Sequence, residues 1–405
     1  MSWFDITTRI EPNDLTLFLR DAKNFIIGWD FDENLAIDGN VDFELVDSFI
    51  DSNKGKFIFT NLGYDLKNSI ELKLNSKNHD FLGFPNVSLK CPKNVIQAIQ
   101  GELYFFGDSS IEDVKSLLLK EKKSDLKQRN SVHIEQIESK EEYISKIDKI
   151  KTKIQRGDIY EMNYCTAFLG SFKNLNPLNT FEELFNKTES PFSVYERISN
   201  KIILNTSPER FISKEQNEII SQPIKGTAPK GSSVSENDRI ISNLKSDLKE
   251  ITENVMIVDL VRNDLSKIAS KNSVETKKLF EVHSFKNINQ LISTISCNLK
   301  SDIKFADIIK STFPMGSMTG APKISAMSIS EENEIFSRNL YSGAQGYIAP
   351  NFNIDLNVVI RTIFVNEIAK SIFVAVGGAI TTSSVPEKEY EECLEKIKAI
   401  KSVIC

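Results

Sequence analysis

Between Ile354 and Phe364, residues with apolar or methyl-bearing side chains recur at every second position: Ile354, Leu356, Val358, Ile360, Thr362 and Phe364. Successive side chains of a strand point to opposite faces, so the pattern predicts one eleven-residue strand with one buried face. Such a strand commits the chain to a sheet with another layer against it. Ser371 to Val376 reads as a second strand and delivers the chain to Gly377-Gly378-Ala379. Lys56 to Thr60, Leu103 to Phe106, Lys201 to Thr206 and Glu218 to Gln222 are further strand-like runs. Helices are fewer. Tyr143, Ile147, Ile150 and Ile154 repeat every three or four residues, with Gly157 just past the end. A second helix spans about Asp247 to Leu260, and a last one starts at Ser384-Val385-Pro386-Glu387, a capping-box pattern with proline in the first turn. Strands cluster rather than alternate with helices, which predicts an α+β fold with large antiparallel sheets.

At 405 residues the chain can bury one large core or two closely packed ones. Residues 1–120 carry no legible chemistry and are expected to pack against the core, and Glu121 to Asn130 reads as a solvated linker or exposed helix end before a domain over 131–405. Lys and Arg total 50 against 56 Asp and Glu; the formal charge of −6 argues against nucleic acid or an anionic membrane as main partner. Five scattered cysteines without CxxC spacing suit a reducing cytoplasm, and three unclustered histidines argue against zinc. No signal peptide or transmembrane-length apolar run is legible, so a soluble cytoplasmic protein is expected.

Chemistry concentrates in the second half. Pro223-Ile224-Lys225-Gly226-Thr227 places a lysine on a glycine turn after the apolar run Ile219-Ile220. Taken alone, these residues read first as a surface lysine on a β-turn. In a buried setting, desolvation would lower the lysine's pKa and make its amine a nucleophile. Glu250 and Glu253 share a helix face, as do Glu389 and Glu392, with Lys396 one turn on. Such pairs are either solvated acidic faces or oxygen ligands for Mg²⁺. Phe313 to Lys323, containing Gly316, Thr319 and Gly320, and Gly377-Gly378-Ala379 each offer backbone amides to a carboxylate. Arg361 could clamp another. Together they point to a small dicarboxylate held near Mg²⁺.

These stretches resemble the signature of the chorismate-utilising enzymes. The matches are Gly157 to Tyr160, Ser207 to Phe211, Pro223 to Thr227, Glu253 to Asp264, Phe313 to Lys323, Arg338 to Tyr347, Ile360 to Thr362 and Pro386 to Lys396, with a weaker one at Gly63 to Leu66. The resemblance implies antiparallel sheets packed as a sandwich with flanking helices, chorismate as substrate, and Mg²⁺ on its ring carboxylate. It implies Glu253 and Glu392 as direct metal ligands, with Glu250 and Glu389 supporting through water. Gly226, Thr227, Thr319, Tyr341, Arg361, Gly377, Gly378, Ala379 and Lys396 would hold the substrate. Glu209 would be the acid that protonates the departing hydroxyl on ring carbon 4.

Within the family, lysine at position 225 is similar to the branch that aminates chorismate at carbon 4, toward 4-aminobenzoate and folate. Alanine there marks the branch that aminates carbon 2. A non-catalytic chorismate- or tryptophan-binding regulator would need neither Lys225 nor Glu209. Three positions depart from the family pattern. Glu161 stands where relatives have glutamine or lysine, Gln290 where the carbon 2 branch has histidine, and Asn339 where glycine is usual. The chain has no room for a glutaminase domain, so a separate glutamine amidotransferase subunit is the expected source of ammonia.

Overall fold

The computed structural model describes residues 2–10, 14–119 and 130–405; the charged stretch ahead of Asn130 lies outside them. Among the described residues the early strands are β1 (Leu15–Asp21), β2 (Asn24–Ile37), β3 (Ile58–Leu62), β4 (Val87–Ile99) and β5 (Glu102–Gly107). There follow β6 (Val132–Gln136), β7 (Glu161–Phe172), β8 (Phe192–Ile198), β9 (Lys201–Ser207), β10 (Arg210–Glu215), β11 (Glu218–Gln222) and β12 (Ile224–Pro229). The last are β13 (Glu275–Ser284), β14 (Ile288–Asn298), β15 (Gly320–Ala321), β16 (Ala344–Ile348), β17 (Ile354–Val358), β18 (Thr362–Asn366) and β19 (Ser371–Ile380).

Hydrogen bonding links most of them in one ladder: β13, β14, β11, β10, β17, β16, β3, β4, β2, β1, β8, β9, β18, β19, β7, β6, with β5, β12 and β15 paired to β4, β14 and β7 beside it. Every pairing in it is antiparallel. The expected α+β class with large antiparallel sheets and flanking helices is what the molecule shows. Strands from the first hundred residues are not a separate layer, because β1 pairs with β8 and β3 with β16.

The strand expected over 354–364 is instead two. β17 pairs with β10 and β16 in one half of the ladder, whereas β18 pairs with β9 and β19 in the other. The chain crosses between the halves at Val359 to Arg361, where Arg361 has φ +52°. Beside it, β9 passes into β10 through Pro208-Glu209. Nor is one face alone buried: Phe364 packs in one apolar cluster while Ile363 and Val365 pack in another. Helices cover both sides, so periodicity of two survives only in part of the segment.

One cluster lies under the helices Lys140–Gln155, Pro177–Thr188 and Pro386–Ile404, joining Tyr143, Ile147, Phe181 and Ile397 to Ile202, Leu204 and Val374. The other joins Ile257, Val261 and Leu265 of the helix Leu248–Ser266 to Ile212, Ile219, Ile295 and Leu356. Each such side chain removed from water contributes about 1.5–3 kcal/mol. The final helix lacks the expected capping box. Its N-cap is Val385, and Ser384 Oγ instead accepts the Thr381 amide one turn earlier. No helix is long and apolar enough to cross a membrane among the described residues.

Candidate active site

Three of the candidate residues sit where regular pairing breaks. Pro208 lacks an amide proton to extend β9, so the chain turns and buries Glu209, which is 5% exposed. Ser317 Oγ donates to Glu209 Oε1 at 2.6 Å. Burial pushes the Glu209 carboxyl up to about 7, against the pull of Ser317, Lys225 and Arg361. That value suits a general acid near neutrality.

Lys225 lies on β12, not on a turn. The register against β14 slips between Ile224 and Thr227, and Gly226 at φ +90° absorbs the extra residue as a bulge. The bulge re-aims Lys225 inward, where Nζ donates to Glu161 Oε1 at 2.5 Å. The expectation of a depressed amine needs correction. Burial does push its pKa down, but Glu161, Glu253 and Glu209 outweigh it and hold Lys225 above its ordinary value. Lys225 therefore rests as an ammonium.

Arg361 is a second cation acting on Glu209, and desolvation lowers its pKa against that attraction. Its backbone carbonyl accepts from the Thr206 amide and hydroxyl, which anchors the left-handed turn. The glycines of β19 divide. Lys396 Nζ reaches the Gly377 carbonyl at 2.7 Å, so Gly377 and, two residues on, Ala379 turn their backbone groups to the edge that β18 leaves open beyond Val374. Gly378 instead faces Tyr164 of β7, so its amide serves the ladder. What Gly378 offers is space: a Cβ there would lie 3.6 Å from Glu389 Oε2 and 3.9 Å from Glu392 Oε1.

Other expected contacts lie deeper. Tyr341 is buried with its hydroxyl hydrogen-bonded to the Cys165 thiol. The Thr319 hydroxyl donates within its own loop, to Met315 and Gly316 carbonyls. Both therefore shape the site from behind. Thr227 is exposed at the rim, with Gln290 Nε2 3.4 Å from its hydroxyl.

The helices Leu248–Ser266 and Pro386–Ile404 bring their carboxylate pairs toward Gly226 and Gly378, whose missing side chains leave room for Glu250 and for Glu389 with Glu392. Among the described residues no three acidic or histidine side chains close round one point tightly enough to hold a metal as they stand. Lysines supply the compensating charge. Lys249 Nζ is 3.5 Å from Glu389 Oε1 and 3.9 Å from Glu253 Oε1, and Lys396 Nζ is 2.6 Å from Glu392 Oε1. Burial pushes Glu253 up to about 7 despite Lys225 and raises Glu250 as well, whereas Lys396 holds Glu392 below its usual value against burial. Glu253 Oε1 is buried without a hydrogen-bond partner. An oxygen-only donor set with an unsatisfied buried carboxylate fits a hard divalent cation such as Mg²⁺.

Sequence reasoning missed Ser317, Lys249 and the buried pair Glu334–Arg338. Lys249 is four residues before Glu253, the spacing already noticed for Glu392 and Lys396. Arg338 donates to Glu334, to the Met318 carbonyl at 2.7 Å and to the Asn163 carbonyl at 2.9 Å, so it ties the Ser317 loop to β7. Its guanidinium lies 4.5 Å over the Tyr64 ring, which joins the Gly63–Leu66 motif to the Arg338–Tyr347 motif. Asn339 holds φ +45°, the conformation that glycine adopts freely, and its side chain secures it by donating to Phe84 and Asp80.

The chorismate binding enzyme family model matches residues 17–402. The chain is 36% identical over 262 residues to aminodeoxychorismate synthase component 1 of Escherichia coli, covering 65% of this chain and 57% of that one. It is 35% identical over 266 residues to anthranilate synthase component 1 of Aquifex aeolicus, covering 66% and 53%. The alignments thus span little more than half of those relatives. Among solved structures, anthranilate synthase component I from Streptococcus pneumoniae superposes with a TM-score of 0.83 at 22% identity, covering 93% of this chain and 92% of its own.

Proposed function

Because the chain belongs to the chorismate-binding enzyme family, we propose that it converts chorismate and ammonia to 4-amino-4-deoxychorismate, as component I of an aminodeoxychorismate synthase. The observation that carries this reading is Lys225, buried on its bulge and acting electrostatically on Glu209. Arg361 and the outward amides of Gly377 and Ala379 would grip the substrate carboxylates. Bound to Glu253 and Glu392, with Glu250 and Glu389 behind them, Mg²⁺ would neutralise a ring carboxylate so that a nucleophile can approach. Lys225 adds to ring carbon 2 as the carbon 4–oxygen bond breaks, and Glu209 gives its proton to the leaving hydroxyl, releasing water. Ammonia then bonds to carbon 4 and expels the lysine amine. Two displacements retain the configuration that one would invert, which gives the lysine a reason to exist. A separate glutamine amidotransferase would supply the ammonia.

Anthranilate synthase component I is the second reading, favoured by the near-equal identity to the Aquifex protein. Its chemistry needs no lysine nucleophile. Purified protein with chorismate, Mg²⁺ and ammonium should yield aminodeoxychorismate, convertible to 4-aminobenzoate by an added lyase. Anthranilate as main product would overturn the assignment.

A further inference from the structure

A resting ammonium cannot attack carbon, so a lysine nucleophile held above its ordinary pKa requires a base within reach. The structure offers one. Glu161 is 1% exposed and stands at the first position of β7, where Gly320 and Ala321 of β15 pair against Met162 and Glu161. Its Oε1 takes the Lys225 hydrogen bond, and its Oε2 is buried without any partner. A buried carboxylate in direct hydrogen bond to an ammonium is placed to receive its proton. Of the other carboxylates acting on Lys225, Glu209 accepts from Ser317 and Glu253 is one of the residues that would hold Mg²⁺; among the described residues it is Glu161 that takes the lysine's hydrogen bond.

We propose that Glu161 is the general base that takes the proton from Lys225 Nζ and returns it when the lysine leaves. This rests on the reading of Lys225 as nucleophile. The proton passes from Nζ to Glu161 Oε1, giving a neutral amine and a neutral acid. The amine lone pair forms the bond to ring carbon 2, the double-bond pair shifts, and the carbon 4–oxygen bond breaks with the Glu209 proton going to the oxygen. When ammonia displaces the lysine amine, Glu161 reprotonates it. The incoming ammonium's fourth proton restores Glu209, so ammonium and chorismate leave as the aminated ammonium product and water. Glu161 and Glu209 thus divide the work, one carboxyl for each end of the displacement.

The test is adduct formation without ammonia, read as added mass on the Lys225 peptide at a series of pH values. At saturating Mg²⁺ the rate in the unaltered protein should hold level below about pH 7, because the lysine's proton has an internal acceptor, and should fall about tenfold per pH unit above it as Glu209 loses its own proton. Glu161→Gln keeps shape and loses basicity. It should slow adduct formation about 100-fold at neutral pH, and its rate relative to the unaltered protein should rise about tenfold per pH unit as solvent takes over deprotonation. Binding of chorismate should change little. Glu161→Asp keeps the charge one carbon short of the lysine, and should slow the adduct by a factor that does not change with pH. It carries the test if the amide variant does not fold. The wild-type rate and pH profile in the amide variant, or a wild-type rate in the aspartate variant should the amide fail to fold, overturn the base, provided Lys225→Ala forms no product. Aminodeoxychorismate from Lys225→Ala at the wild-type rate instead overturns the nucleophile itself, whatever Glu161 does.

Discussion

A carboxyl that donates a proton near neutrality must still hold it there, and Glu209 does so because burial disfavours its anion more than Ser317, Lys225 and Arg361 favour it. With its value raised to about 7, kcat at saturating substrates and Mg²⁺ should fall about tenfold per pH unit above that point. Glu209→Gln should lower kcat by about 100-fold or more below about pH 7, with the gap closing as pH rises above it. The same shift has a stability consequence of definite sign. The folded state holds the proton more tightly than the unfolded chain, so this contribution is complete below the ordinary carboxylate value and lost as pH climbs through about 7. Glu209→Gln, fixed in the neutral form, should gain melting temperature relative to the unaltered protein over that window. Arg361 makes a second test. Its planar fork suits two-point binding of a carboxylate, so Arg361→Lys should raise KM for chorismate about tenfold or more with a smaller effect on kcat. An unchanged KM would place the carboxylate elsewhere.

At the scale of elements, function depends on two irregularities and two helices. The β12 bulge needs Gly226: at φ +90° a side chain is strained, and a Cβ would meet Glu250 Oε2 and Leu291 Cδ1 at 3.0 Å. Gly226→Ala should cost about 1–3 kcal/mol in urea denaturation and should displace Lys225 from Glu161. The helices Leu248–Ser266 and Pro386–Ile404 bring Glu253 and Glu389 to either side of Lys249, and such carboxylates repel unless cations intervene. Because Glu253 must shed its proton to bind metal and holds it up to about 7, Mg²⁺ affinity by calorimetry should tighten as pH rises from about 6 to about 8. Glu253→Gln should abolish that dependence along with turnover. The buried Arg338–Glu334 pair fastens the Ser317 loop to β7, and Arg338→Met, which leaves the Glu334 charge unpaired, should destabilise by about 3–5 kcal/mol.

For the whole molecule, the continuous ladder predicts cooperative behaviour. Since β1 pairs with β8 and β3 with β16, removing residues 1–120 would leave two long edges unpaired in the middle of the sheet. A fragment of residues 131–405 should fail to give a folded, dispersed spectrum, and the intact chain should melt in a single calorimetric transition. A soluble, structured fragment would mean that the later residues fold independently.

The strand runs at 56–60, 103–106, 201–206, 218–222 and 354–376, three of the helices and the carboxylate pairs were legible in the sequence because each rests on local periodicity: two for strands, about three and a half for helices. Position-specific backbone demands were legible too, at Gly226 and at Asn339. What local pattern could not say is which strand neighbours which. The run from Ile354 to Phe364 looks like one strand because side-chain alternation does not register a crossing between sheet halves, and both halves bury what they receive. The charge state of Lys225 was equally out of reach. Glu161 is 64 residues from it, Glu253 is on a helix and Glu209 is at a strand crossing, and their electrostatic fields add only once the fold has gathered them. The sequence alone determined which groups are present and how each segment would curl. Tertiary structure alone decided which of them share a low-dielectric space, where a few ångströms settle whether a lysine is a nucleophile or an ion pair.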